Sequence, residues 1–210
     1  MPMNPTQLGA DIRDALGFSS KPVSAQLAGM AANIVTHEKT GVVSFAPGGV
    51  TGTAPPSGGP LTLGAANGGI VLLVPSALEA LFTTTFGGST SQTNGMAIAM
   101  STHFQTALAA FATGGITGAC ANTPTSPGPL VGAGANGTLS GLDGSALASA
   151  VATAIGQASP SSQLSDMCDV IVNHIMDNGA VTLPPASVVG VCSAGGGPVT
   201  LGAATGGLIL

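Results

Sequence analysis

Three histidines, His37, His103 and His174, are the residues of this chain best placed to do chemistry. Each lies seven residues after a methionine (Met30, Met96, Met167) and closes a run that reads IVTH, MSTH or IVNH. Three imidazoles in matching places suit an axial metal held by three nitrogens with a fourth position open, as in catalytic zinc sites. That arrangement requires three helix ends to face one axis. The plainer reading puts each histidine at a helix C-terminus, bonding terminal carbonyls and meeting the negative end of the dipole. The plainer reading is preferred, and neither a metal nor a cofactor is assigned.

Other chemistry finds less support. Cys168 stands six residues before His174, a spacing that leaves the two on poorly matched faces of one helix. No GxSxG elbow is present to raise a serine nucleophile. Asp11 with Asp14, and Asp166 with Asp169, are i, i+3 neighbours that read as solvated faces or first-turn charges. Glu38 adjoins His37 but has no counterpart beside His103 or His174. Gly132, Gly134 and Gly137 spell GxGxxG, which binds dinucleotides only where it follows a strand and opens a helix. The related strings GAANGG and GAATGG keep the frame and lose the pattern, so a turn or tight backbone packing explains these glycines better. The expectation is a protein without catalytic residues.

The elements that position these residues recur three times. GGPLTLGAANGG, PGPLVGAGANGT and GGPVTLGAATGG set Pro60, Pro129 and Pro198 at equal intervals of 69 residues. Upstream, AANIVTHEKTGVVSFAPGGVTG lies without a gap over AIAMSTHFQTALAAFATGGITG, pairing Phe45 with Phe111, and the third copy needs one extra residue before Leu183. The units are placed at 4–72, 73–140 and 141–210. Each opens with an apolar stripe at helical spacing: Leu8, Ile12 and Leu16; Leu78, Leu81 and Phe82; Leu147, Val151 and Ile155. Asn4, Ser76 and Ser145 are the expected N-caps, and Gly17, Gly87 and Gly156 the C-terminal stops. A second helix is expected near 23–39, 91–108 and 161–178, with the three methionines as gap-filling core residues. Thr, Val, Pro and Gly then take over. Strands are expected at Val42–Phe45 and Val181–Leu183, then near 60–64, 129–132 and 198–202, with a third piece at 69–74 or 207–210. The fold class is therefore α+β: three tandem helix-helix-β-hairpin modules in a single-chain pseudo-threefold arrangement, a pseudo-trimer. A repeat of this length is too small to bury its apolar face alone.

Composition narrows the function. Charged residues make up 5 % of the chain, against roughly a quarter in ordinary soluble domains, so much of the surface is expected to be covered by other subunits. Arg13, Lys21 and Lys39 are the only basic side chains, all in the first unit, and the six Phe are the only aromatics. Nucleic-acid binding, which needs cations against phosphate and rings against bases, is excluded. No apolar run reaches the length of a membrane span, and the opening MPMNPTQLGADIR lacks the basic start and apolar centre of a signal peptide. Synthesis in the cytoplasm is expected. Cys120, Cys168 and Cys192 lack the spacing of a disulfide framework, although Cys120 and Cys192 occupy matching places in TGAC and VGVC.

In the third unit, Ile171, Val172, His174, Ile175, Asn178 and Val181 form a helix pattern that runs into Gly/Thr-rich β structure. It resembles a small module of phage tail, baseplate and contractile-injection structural proteins; the first unit keeps Ile34, Val35, His37 and Val42 or Val43. The resemblance implies a virion or phage-like particle as the location, and other structural subunits as partners through apolar, uncharged surfaces. The expected function is a non-enzymatic structural component, most simply a tail-tip, spike or baseplate adaptor. A capsid cement or vertex decoration protein, and a surface adhesin or glycan-binding module, are the alternatives; the lack of Trp and Tyr counts against the last.

Overall fold

The computed structural model describes residues 3–54, 62–71, 73–111, 116–120, 128–192 and 197–209. The chain is α+β. Its described elements are α1 (Pro5–Ala15), α2 (Ala25–Glu38), β1 (Val42–Ala54), β2 (Thr62–Val71), α3 (Pro75–Phe86), α4 (Ser91–Phe104), β3 (Leu108–Phe111), β4 (Ile116–Cys120), β5 (Gly128–Ser140), α5 (Gly144–Ala154), α6 (Ser162–Asn178), β6 (Ala180–Cys192) and β7 (Gly197–Ile209). They sort into two compact units, each drawn from three segments of chain. A helical unit takes 1–40, 72–107 and 141–179; a strand unit takes 41–71, 108–140 and 180–210. Every Asp, Glu, His, Lys and Arg of the chain falls in the helical segments.

In the helical unit each helix packs on the next, and α6 returns to pack on α1. The expected stripes make its core: Leu8, Ile12, Leu78, Phe82, Leu147 and Val151 are buried, as are Ile34, Met100 and Ile171 of the second helices. Leu16, Leu81 and Ile155 are only half-buried. Asn4 caps α1 as expected, accepting from the N–H groups of Thr6 and Gln7. The caps expected at Ser76 and Ser145 lie elsewhere. Pro75, whose ring presets a helical φ, starts α3 directly after Val74. Asp143 caps α5 because its carboxylate reaches the N–H groups of Ser145 and Ala146. Gly17, Gly87 and Gly156 all have φ near +80° (81°, 78° and 82°), the left-handed turn that stops a helix and that a Cβ disfavours. The helix expected to reach residue 108 ends at Phe104, and Leu108 already begins β3.

The strand unit is one antiparallel sheet in the order β3-β2-β1-β7-β6-β5-β4. It also closes on itself, because β3 pairs with both β2 and β5. The strands run longer than the short pieces expected. The glycine-rich runs at 64–69, 132–137 and 202–207 lie inside β2, β5 and β7, with register irregularities instead of chain reversals, while residues 60 and 61 of the strand expected at 60–64 lie outside the described residues. Alternation puts aligned residues inward in threes: Val43, Ala109 and Val181; Phe45, Phe111 and Leu183; Val50, Ile116 and Val188, all essentially inaccessible. The rings of Phe45 and Phe111 meet at 5.8 Å with planes tilted by 56°. They fit because glycine stands opposite each. A Cβ on Gly68 would strike the Phe45 ring and the Ser44 carbonyl, and one on Gly137 would come within 2.8 Å of Phe111. Close packing is thus the reason for at least one glycine of the GxGxxG string, and the alternative of a turn is ruled out by its place within β5.

Candidate functional site

The histidines end up in structural use rather than beside one another. Among the described residues, no three His, Cys, Asp or Glu side chains cluster closely enough to hold a metal ion. His174, in the last turns of α6, accepts a hydrogen bond at Nε2 from the backbone N–H of Asn4, 3.2 Å away. His103, at the end of α4, accepts at Nε2 from the backbone N–H of Asp143 at 3.3 Å. Both donors are the N-cap residues of the neighbouring helix. The expected bond to a helix's own terminal carbonyls is therefore replaced. Cap N–H groups need an acceptor, and an unprotonated imidazole nitrogen supplies one. His37 departs from this pattern: its Nε2 lies 2.9 Å from the Ser101 hydroxyl, which joins α2 to α4.

Electrostatics agree with the acceptor role. Burial lowers the pKa of all three imidazoles, opposed at His103 by Asp143 and at His174 by Asp11 and Asp177. A neutral ring can accept; a protonated one cannot. Cys168 is fully buried, and burial, with Asp169 adding repulsion, pushes its thiol up to about 12. A thiol so hard to ionise is a packing group and not a nucleophile. Cys120 and Cys192 lie on β4 and β6, on either side of β5, opposite Leu130 and Gly128. Two strand spacings across and two residues along β5, together roughly 12 Å, separate those positions.

Two features escaped the sequence. The first is Glu38, fully buried, with neither carboxylate oxygen hydrogen-bonded. Burial alone raises its pKa from 4.5 to about 8. The alignment carried the signal, because Glu38 falls where the other copies have Phe104 and Ile175, both fully buried. The second is a pair of interhelical grooves. One, of about 540 Å³, lies between α1 and α6 and gathers Asp11, Asp14, Asp166, Asp169 and Asp177 around His174. Its counterpart of about 530 Å³ lies between α4 and α5 around His103. There the aligned positions are Ala150, Thr153, Gly95, Ile98 and Thr106, without a charge. At the third seam, between α2 and α3, the amide of Asn33 donates to the Thr85 hydroxyl at 2.8 Å, and Thr85 packs on Gly29. The α1–α6 seam is thus acidic, the α4–α5 seam apolar and the α2–α3 seam bridged.

No protein-family model, curated protein or solved structure matches this chain. Among the described residues, no helix is long and apolar enough to cross a membrane.

Proposed function

We propose that the chain is a non-enzymatic structural subunit, a single-chain pseudo-trimer acting as an adaptor at the tail tip, spike or baseplate of a phage or phage-like particle. One observation carries this reading: the helical ring and the strand circuit are each assembled from three segments, with sequence-aligned residues in like roles. The inward triplets of the strands and the paired cap bonds of His103 and His174 are the clearest instances. A single chain of this kind offers three similar faces to a threefold or sixfold partner while keeping each face distinct. The acidic, apolar and bridged seams are those distinctions.

Composition supports partners over solvent. Charges amount to 5 % of residues, and Phe18, Val74, Phe86, Ile98 and Leu108 are exposed apolar side chains. Burying such surface is worth about 25 cal/mol per Å², and obligate assemblies are built on it. Of the groups a catalyst would draw on, His103 and His174 are engaged with caps, His37 with Ser101, and Cys168 in packing.

Two measurements test the proposal. In a crystal structure of the isolated chain, residues 4–72, 73–140 and 141–210 should superpose as one fold; three unlike folds would sink the pseudo-trimer. Mass spectrometry of gradient-purified particles should find the chain in the tail fraction. Recovery with capsids would move it to the cement role, and recovery only from particle-free lysate would remove it from the virion.

A further inference from the structure

The buried side-chain nitrogen and oxygen atoms left unpaired among the described residues belong to two adjacent residues: His37 Nδ1 and both carboxylate oxygens of Glu38. They sit in the last turn of α2. That turn is held by the Lys39 N–H on the Val35 carbonyl, by the Thr40 N–H and hydroxyl on the His37 carbonyl, and by the His37–Ser101 bond to α4. At the aligned positions α4 and α6 carry hydrocarbon, Phe104 and Ile175. In α2 alone this core position can acquire a charge. We propose that the last turn of α2, residues 35–39, is an alkaline-sensitive latch, closed while the Glu38 carboxyl holds its proton and released when it ionises.

Three physical terms act together. An ionised carboxylate without partners is among the costliest groups to keep from water. It would also stand at the negative end of the α2 dipole, where an anion is repelled. Among the described residues no cation pairs with Glu38 to offset either term, and Lys21, in the loop before α2, is exposed. On α1, Asp11 accepts from Gln7, and Arg13 is paired with Asp14 at the surface. On α3, Glu79 accepts from Ser89. On α4, His103 lies against Asp143, and Lys39, next in the chain, is exposed. Segments 41–71, 108–140 and 180–210 contain no Asp, Glu, His, Lys or Arg. Opening of the turn would carry the carboxylate to solvent, at the expense of the His37–Ser101 bond. The proton released goes to water, and no other chemistry is required.

Hydrogen exchange on the full chain at about pH 6.5 and about pH 9 reads the latch directly, with each rate normalised to unfolded-chain exchange at the same pH. Peptides covering residues 33–41 should lose protection by about tenfold at the higher pH, as expected one unit above the ionisation midpoint. Peptides from α5 should keep theirs. Glu38→Gln and Glu38→Ile should abolish the loss. Unchanged wild-type protection, the same loss in Glu38→Gln, or simultaneous loss across all six helices would each overturn the proposal. Should Glu38→Ile fail to fold, Glu38→Gln and a carbon-13 titration of the Glu38 carboxyl decide. A midpoint in the ordinary carboxylate range would overturn it as well.

Discussion

Glu38 and the three histidines pull the stability of this protein in opposite directions with pH. Burial raises the Glu38 pKa to about 8, so the folded chain keeps a proton that the unfolded chain releases from about pH 4.5 upward. Stability from this group is complete below 4.5, falls as pH rises, and levels off above about 8; by pH 7 the loss is on the order of 3 kcal/mol. The imidazoles are lowered instead. There the unfolded chain takes up protons first, and stability is lost as pH falls below 6.5. Replacing Glu38 by isoleucine, the residue at the aligned position, is expected to raise stability at pH 7 by roughly 2–3 kcal/mol. It should also leave a profile that only rises between about pH 5 and 7, as read by urea denaturation across that range. His174→Ala should cost about 1 kcal/mol by stranding the half-buried Asn4 N–H, and His103→Ala less, because water reaches the exposed Asp143 N–H. These roles were only partly legible. The helix-end placement of each histidine followed from its stripe, but its acceptor bond to a neighbouring helix is set by packing that no local pattern encodes.

At the level of elements, the helices were readable because their stripes, caps and glycine stops are local signals. The strands were not: β2, β5 and β7 carry glycine where sheet propensity is poor. Their continuity comes from closure with neighbours far along the chain. In such a sheet glycine makes room, which yields a test. Gly137→Ala would drive a methyl into Phe111 and is expected to lower stability by about 1–3 kcal/mol. Phe111→Leu should restore part of that loss in the double variant, because the collision is with the ring itself. Gly87→Ala meets open space instead. Its penalty, about 1 kcal/mol, comes from the left-handed backbone, and no second-site change should relieve it. Thermal denaturation of the four variants separates the two mechanisms.

For the molecule as a whole, the order in which the units use the chain is decisive. The alternation of helix-rich and strand-rich stretches was plain in the sequence, and the described elements fall in those stretches. Which strands pair was not, because β1–β7, β2–β3 and β5–β6 join residues from different thirds of the chain. A chain truncated after residue 140 would lose β6, β7, α5 and α6 together, interrupting both circuits. It is expected to give no cooperative melting transition by circular dichroism and to elute as aggregate in light-scattering chromatography. Closure has a further consequence for how neighbours can attach. Among the described strands, only the five-residue β4 has a single partner, so an invading peptide backbone has almost nowhere to add as an extra rung. Among the described strands, recognition is therefore left mainly to side chains displayed on the faces, and stacking of further strands has only a short free edge to start from.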